Sequence, residues 1–294
     1  MTKIPVGDTI RHAYTFTFSE LGTIIGLCWL PLVLIAILQF LPYAFVGDPS
    51  AAANATEQGR HGLENLAGSL IMILLYAVAY VPVTQLALGR RKGPAVVHFA
   101  LGLPEFRVFG ALLLFFLVIF AMAVGIGLLG LLAGGVSVMT GKNPAAGLVL
   151  ALVVLAALLG FLYAVVRLGF LIVPVTVAEE QVSLTRAWIL TRGNFWRIFG
   201  VLMAVLLPIY LLHLAGLVAL VGPGLFAPLP ANPAVAEQVL ATRFAMVGQH
   251  IPEYLGITLI LAPFNIGLGI GAAVYAYKAL SSPAPAVASP AQIS

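Results

Sequence analysis

Two ionisable side chains, Arg167 and His213, lie inside long apolar stretches of this 294-residue chain. Because a charged group is costly within a membrane, such residues are candidates for function. Three roles are open for Arg167: structural anchoring, binding of a lipid or substrate headgroup, and a charge used in transport. Anchoring is favoured, either by reaching the inner interface or by pairing with Glu179 or Glu180 if the helix breaks at Pro174.

His213 has no carboxylate partner in the sequence pattern, and we predict that it hydrogen-bonds to a neighbouring helix. Other polar side chains in the apolar stretches are uncharged and typical of contacts between helices. They are Gln39, Tyr76, Tyr80, Thr84, Gln85, Tyr163, Tyr210 and Asn265. Convergence of Arg167, His213 and Asn265 on one cavity would favour transport or lipid handling, whereas separate packing would favour a scaffold.

Four arginines near predicted helix ends form a second candidate site. They are Arg107, Arg186, Arg192 and Arg197. Basic and aromatic side chains at the headgroup level commonly set the depth and topology of a membrane protein, and this interpretation is preferred. The alternative is that the arginines bind anionic lipid headgroups.

The sequence contains none of the common catalytic arrangements. A P-loop, a zinc-protease histidine pair, a nucleophile elbow and paired carboxylates are all absent from the pattern. The five histidines are scattered, and the single Cys28 excludes an intrachain disulfide and a cysteine-based metal site. We therefore predict a protein without enzymatic activity, cofactor or metal ion.

The composition excludes a soluble globular protein. Hydrophobic residues make up 62% of the chain and charged residues 8%, whereas about a quarter of an ordinary soluble domain is charged. The apolar content also excludes intrinsic disorder, and a net charge of +4 is too small a surplus for a nucleic-acid-binding protein. Membrane lipid is therefore the expected partner of much of the surface.

Six apolar stretches are long enough to cross a bilayer, which takes about 20 helical residues. They are 21–46, 66–89, 108–135, 147–177, 198–222 and 253–277. Backbone groups must find internal partners in lipid, and these stretches lack the alternation of barrel strands. The predicted fold class is therefore an all-α polytopic membrane protein with six transmembrane helices.

Basic residues in the loops predict the orientation. With the N-terminus in the cytoplasm, ten Lys and Arg residues fall in cytoplasmic segments and three in external ones. This bias predicts cytoplasmic N- and C-termini in the inner membrane of a bacterial cell. Residues 1–280 are predicted to form a single membrane domain, and residues 281–294 a disordered cytoplasmic tail.

Two short motifs recur along the chain at nearly the same spacing. VPVT occurs at 81–84 and 173–176, and FRVFG at 106–110 is followed by WRIFG at 196–200. A third copy, residues 9–26, aligns without gaps with residues 183–200. The chain is therefore predicted to contain internal repeats.

Each repeat is predicted to be a short interfacial amphipathic helix followed by a helical hairpin. The three parallel units cover about 5–89, 94–177 and 181–280. In the third unit, Ser183 is predicted to cap the short helix and Gly193 to end it.

The stretch VPVTVAEEQVSLTRAWILTRGNFWRIFG (173–200) and the closing AAVYAYKAL (272–280) carry a family resemblance. They resemble the six-helix membrane domain attached to some bacterial glycerophosphodiester phosphodiesterases and its free-standing, uncharacterised inner-membrane relatives. The matching positions are Pro174, Glu180, Ser183, Ala187, Trp188, Leu190, Thr191, Gly193, Asn194, Trp196 and Arg197. The resemblance implies a membrane domain without an established activity, since the chain has no room for the phosphodiesterase barrel or its metal ligands.

The leading functional hypothesis is a non-enzymatic inner-membrane protein that organises or senses lipid, including anionic lipid, or serves as the membrane partner of another protein. The alternative is a transporter or permease for a lipid-like or small anionic solute, which would use Arg167 and the proline-containing helices.

Overall fold

The computed structural model describes residues 3–45, 55–91, 97–139 and 144–281. This part of the chain is helical and contains no β-strand. Its α-helices are α1 (Val6–Ser19), α2 (Leu21–Phe45), α3 (Ala55–Leu88), α4 (Leu103–Met139), α5 (Pro144–Glu179), α6 (Leu184–Leu190), α7 (Phe195–Val221), α8 (Pro233–Gln249) and α9 (Ile251–Ser281). Of the predicted tail, residues 281–294, Ser281 is described and ends α9, and residues 282–294 lie outside the described residues.

Six of these helices are long and apolar enough to cross a membrane: α2, α3, α4, α5, α7 and α9. They coincide with the six stretches expected from hydropathy, and their lengths satisfy the ~30 Å thickness of the hydrocarbon core. The part of the chain that the structure describes is therefore that of a helical, multipass integral membrane protein, as predicted.

Helix α9 lies at the centre of the bundle, where it contacts α1, α2, α3, α5 and α7. Two glycines on one of its faces allow α1 to approach closely. A Cβ atom added to Gly267 would lie 2.8 Å from Thr17 Cγ2, and one added to Gly271 would lie 2.9 Å from Phe16 Cδ1. The small residues of α9 thus form the surface on which α1 packs, since no larger side chain fits there.

Helix α1 is also joined to α7 by a hydrogen bond that a proline makes available. Pro208 has no N–H, so the carbonyl of Ala204, four residues earlier, loses its usual partner within the helix. The Tyr14 hydroxyl donates to this carbonyl at 3.0 Å. The amphipathic α1 therefore buries one face, including Thr9, Ala13 and Thr17, against the bundle.

Consecutive spans pack against one another: α2 with α3, α3 with α4, α4 with α5, α5 with α7, and α7 with α9. The predicted short helix of the second unit is not present in the described residues 97–102, because α4 begins directly at Leu103. The Glu105 carboxylate accepts the Gly102 N–H at 2.9 Å and Pro104 stands in the first helical turn, so the local sequence starts a long helix there.

The short helix of the third unit forms as predicted. The Ser183 hydroxyl accepts the Arg186 N–H at 3.1 Å at the start of α6. Gly193 adopts a φ of 75° between α6 and α7, a conformation that glycine tolerates without steric cost. The cap and the stop read from the sequence are therefore confirmed.

Candidate functional site

A cavity of about 470 Å³ lies between the transmembrane helices α2, α3, α5, α7 and α9, with one side chain from α4. Most of its wall is aliphatic or aromatic, but seven polar side chains from four helices also line it. They are Gln39, Tyr76, Tyr80, Tyr210, His213, Thr258 and Asn265. An apolar cavity with a few convergent polar groups is the usual form of a small-molecule site.

Glycine spacing on α9 leaves room for this cavity. Gly269 lies two residues from Gly267 and Gly271 and therefore on a different face of the helix. A Cβ atom at Gly269 would meet no heavy atom within 4 Å, and this residue lines the cavity. In the sequence Gly-Leu-Gly-Ile-Gly (267–271), the two outer glycines therefore contact α1, and the middle glycine leaves space for the cavity.

His213 hydrogen-bonds within its own helix rather than to a neighbouring helix, which corrects the prediction. Its Nδ1 atom lies 2.9 Å from the carbonyl oxygen of Ile209. Since a carbonyl only accepts, Nδ1 carries a proton and donates, while Nε2 has no hydrogen-bond partner among the described residues. The ring packs edge-on against Tyr254, and Tyr210 lies nearby. His213 thus adds a polar ring nitrogen to the cavity wall.

Several cavity side chains retain hydrogen-bonding capacity. Within the described part of the chain, the Asn265 amide and the hydroxyls of Tyr76, Tyr80 and Tyr210 have no hydrogen-bond partner, and none of them is a fully buried unsatisfied atom. Gln39 makes only a long N–H···S contact of 3.9 Å to a methionine. These groups are therefore available to a molecule in the cavity.

Two prolines weaken the backbone hydrogen bonding in the cavity wall. Pro174 in α5 and Pro263 in α9 both lie inside continuous helices. Each lacks the N–H that would bond the carbonyl four residues earlier, which belongs to Phe170 and Leu259 respectively. Both of these residues line the cavity. The prolines thus leave carbonyl acceptors without their usual helical donors beside the polar side chains.

Arg167 does not line this cavity. Its side chain is 3% exposed and lies between α5 and α6. Nη1 donates to the Tyr163 hydroxyl at 2.8 Å, Nε donates to Thr191 Oγ1 at 3.3 Å, and Nη2 donates to the Trp188 carbonyl. The guanidinium also stacks 3.7 Å from the centroid of the Trp188 ring.

The proposed pairing of Arg167 with a glutamate is wrong. Helix α5 continues through Pro174 to Glu179, so the chain does not fold back at the proline. Glu179 instead accepts from Arg186 at 2.9 Å, and Glu180 accepts from Arg107 at 3.3 Å. Arg167 is held by neutral acceptors and an aromatic ring, as a link between α5 and α6.

Three of the four arginines of the predicted lipid site already contact protein acceptors. Arg107 and Arg186 form the ion pairs with the glutamates, and Arg197 donates to the Ile4 carbonyl at 2.8 Å. Arg192 is exposed, and its guanidinium has no hydrogen-bond or ion-pair partner in the described residues. The structure therefore does not bring the four guanidinium groups together as one open anion site.

The motif residues Asn194 and Arg197 hold the N-terminal segment. Asn194 Oδ1 accepts the Ile4 N–H at 3.0 Å while Arg197 donates to the Ile4 carbonyl. Ile4 is fully buried, so both of its backbone groups need these partners. Asn194 and Arg197 thus serve packing, which reduces the set of residues available for chemistry.

We expect Asn194→Ala to destabilise the protein by about 1–3 kcal/mol, because the buried Ile4 N–H loses its acceptor. Thermal unfolding in detergent, followed by circular dichroism, measures this loss. Asn232→Ala is the matched control, since Asn232 makes a comparable bond to the Ala234 N–H at an exposed helix start. Equal melting temperatures for the two variants would contradict the clamp.

Sequence reasoning identified His213 and Asn265 as site candidates but took the tyrosines and Gln39 as contacts between helices. It overlooked Thr258, whose hydroxyl donates to the Tyr254 carbonyl at 3.0 Å. The spacing of Tyr76 and Tyr80, one helical turn apart, was the available signal that two hydroxyls share a face. Tertiary packing decides which other helices lie next to Tyr76 and Tyr80.

These features define a helical multipass membrane protein with a partly polar cavity between its spans. No protein-family model matches the chain, and comparisons with curated proteins and with solved structures find no match.

Proposed function

We propose that this protein binds a single lipid-like molecule in the cavity between its transmembrane helices. The observation that carries the proposal is the group of polar side chains without protein partners in a largely apolar wall. A polar group without a partner is costly where water is scarce. A ligand with an apolar body and a polar head satisfies both parts of this wall.

The position of Arg167 favours lipid binding over anion transport. The transporter hypothesis used Arg167 as the solute contact, but this side chain is engaged between α5 and α6. Among the described residues of the cavity wall, one imidazole is present and no carboxylate or ammonium group. These side chains can bind a molecule, but they include few groups that could transfer a proton. We therefore propose a non-enzymatic role.

We further propose the orientation, family relation and repeat organisation expected from the sequence. Arg90 and Lys278 donate to carbonyls at the ends of α5 and α3 respectively, at the end of the bundle that also holds Ile4 and the glutamate ion pairs. This end, which we call the basic end, suits the cytoplasmic face of a bacterial inner membrane. Exposed Arg192 at this end is available to anionic headgroups or to a membrane-protein partner.

The three hairpins support the proposed parallel repeats, although the second unit begins without a separate helix in its described residues. The contacts of Ser183, Thr191, Asn194 and Arg197 give structural roles to the motif shared with phosphodiesterase-associated membrane domains. The repeat organisation and the family relation are both proposed from sequence patterns.

Gly269→Leu tests the proposed function by filling the cavity from its wall. The new side chain enters open space, and leucine is a better helix former than glycine, so the fold is expected to persist. We expect the lipid that co-purifies with the wild type in mild detergent to fall by about tenfold or more, which corresponds to about 1.4 kcal/mol of lost affinity. Lipid mass spectrometry on equal amounts of protein gives the ratio.

Gly125→Leu is the control for this experiment. Gly125 lies on the exposed face of α4, and a Cβ atom there also meets nothing within 4 Å. This variant carries the same added side chain on a membrane-spanning helix and is expected to retain lipid as the wild type does. Equal lipid retention by Gly269→Leu and Gly125→Leu would overturn the proposed function.

A further inference from the structure

We propose that the cavity selects an uncharged, hydroxyl-bearing headgroup, such as glycerol or a sugar, over a phosphate or an ammonium headgroup. This inference rests on the proposed function, since it names the chemical class of the molecule bound there. It follows from two properties of the wall: the absence of formal charge among the described lining residues, and the mixture of hydrogen-bond donors and acceptors.

The first property concerns charge. The described lining residues include no Asp, Glu, Lys or Arg. An ionised headgroup brought between these helices would lose its hydration without gaining a counter-charge. Phosphate sites in proteins ordinarily supply Arg, Lys or a helix N-terminus, and none of these faces this cavity among the described residues.

No arginine or lysine among the described residues lines the cavity. Arg167 donates to three neutral acceptors between α5 and α6. At the basic end, Arg107 and Arg186 pair with glutamates and Arg197 donates to a backbone carbonyl, while the exposed Arg192 lies outside the cavity wall. Asn265, by contrast, lies about midway along α9, well away from the basic end. A headgroup next to Asn265 therefore contacts polar side chains and not the charged side chains of the basic end.

The second property concerns the direction of the hydrogen bonds. The Thr258 hydroxyl already donates to a carbonyl and therefore offers an acceptor to the cavity, and His213 adds a ring nitrogen that has no partner among the described residues. The Asn265 amide and the tyrosine hydroxyls offer both donors and acceptors. A phosphate diester only accepts and an ammonium only donates, whereas a hydroxyl group does both. Hydroxyl groups therefore match this wall most completely.

An aromatic cage for a quaternary ammonium group is the main competing arrangement, because three tyrosines line the cavity. The rings of Tyr76 and Tyr80, however, pack on each other, with centroids 5.7 Å apart. Such mutual packing occupies part of the ring surface that a cage would direct towards the cation. The experiment below includes a choline lipid for this reason.

The test is a competition between lipids that share the same acyl chains. Purified full-length protein in mild detergent is incubated with equimolar diacylglycerol, monoglucosyl diacylglycerol, phosphatidylglycerol and phosphatidylcholine, and native mass spectrometry measures the bound fraction of each. We expect the two uncharged lipids to exceed each phospholipid by about tenfold. Preferential binding of phosphatidylglycerol or phosphatidylcholine would overturn the inference.

Two variants test whether the headgroup preference arises in the cavity. Asn265→Leu preserves the approximate size of the side chain but removes its donors and acceptor, and we expect a fivefold to tenfold loss of the uncharged lipids, about 1 kcal/mol. Thr84→Val is the matched control, because Thr84 is a buried polar residue of α3 that bonds to the Tyr80 carbonyl and does not line the cavity. Equal losses in both variants would contradict selection by the cavity.

The same measurements separate this inference from the proposed function. If no lipid bound by the wild type is lost from Gly269→Leu, the proposed lipid site itself is wrong. If a lipid is lost from Gly269→Leu but carries a phosphate or a choline group, only the headgroup inference is wrong. Free glycerol and glucose, added as competitors, are expected to displace little lipid; full displacement by either would support the headgroup class and overturn its attachment to a lipid.

Discussion

Replacing Gly271 by leucine should release α1 from the bundle and destabilise the protein by about 3 kcal/mol or more. A Cβ atom at this position would lie 2.9 Å from Phe16 Cδ1 and 3.3 Å from the Cα atom of Ala13. The second contact is with backbone, so a side-chain rotation in α1 cannot relieve it. Movement of α1 would in turn break the hydrogen bond between the Tyr14 hydroxyl and the Ala204 carbonyl.

The loss is measured by thermal unfolding in detergent together with limited trypsin digestion. Detachment of α1 exposes the peptide bond after Arg11, so cleavage there is expected to accelerate before global unfolding. Gly269→Leu is the control, since it adds the same side chain two residues away on the same helix but into open space. Similar melting temperatures and digestion rates for the two variants would contradict the role of Gly271 in packing α1.

Arg167→Ala should produce the second large effect, a destabilisation of at least about 3 kcal/mol. The change removes three hydrogen bonds from a charged donor and the stacking of the guanidinium on Trp188. Each such hydrogen bond contributes about 1.5–3 kcal/mol and a desolvated cation–π contact about 2 kcal/mol. The cost of keeping a charge within the membrane, about 3 kcal/mol, offsets part of this sum.

The predicted readout is selective loosening of α6. Trypsin cleavage after Arg186 and Arg192, which flank the Trp188 turn, should become faster than cleavage elsewhere, and the melting temperature should fall. Arg167→Lys should recover only part of the stability, because an ammonium group lacks the planar surface and the fork of donors that contact Trp188 and Thr191. Lipid retention in the cavity should change little, since Arg167 does not line it.

A more stable Arg167→Ala protein would contradict this anchoring role. In that case the cost of the buried charge would exceed the value of its contacts, and the residue would be retained for another purpose. The two-variant comparison therefore distinguishes an anchor from a headgroup or transport contact, the three roles that the sequence left open.

Local features of the sequence predicted the elements of the fold. Six apolar stretches became six membrane-spanning helices because length and hydropathy alone determine whether a helix can cross a bilayer. The cap at Ser183 and the stop at Gly193 were predictable for a related reason, since each depends on neighbouring backbone groups. In the second unit, the described residues 97–102 are not helical, because Pro104 and Glu105 start a long helix at Leu103.

The candidate site was predictable only in part. His213 and Asn265 were recognisable as polar residues inside apolar stretches, and both line the cavity. The separation of Arg167 from them was not recognisable, because two of its three hydrogen-bond partners, Trp188 and Thr191, lie in α6 and at the C-terminal end of α6. A sequence shows that a buried charge needs hydrogen-bond partners, but the tertiary fold determines which residues lie close enough to be those partners.

By itself, the sequence determined that this chain is a helical membrane protein with few intramembrane ionisable groups. Only the tertiary structure decided which groups meet: Ile4 with Asn194 and Arg197, and His213 with Asn265 around one cavity. The physical reason is the distance along the chain over which each effect acts. Hydropathy and helix capping act over one or a few helical turns, whereas burial and hydrogen-bond satisfaction depend on helices that are distant in the chain and adjacent in the fold.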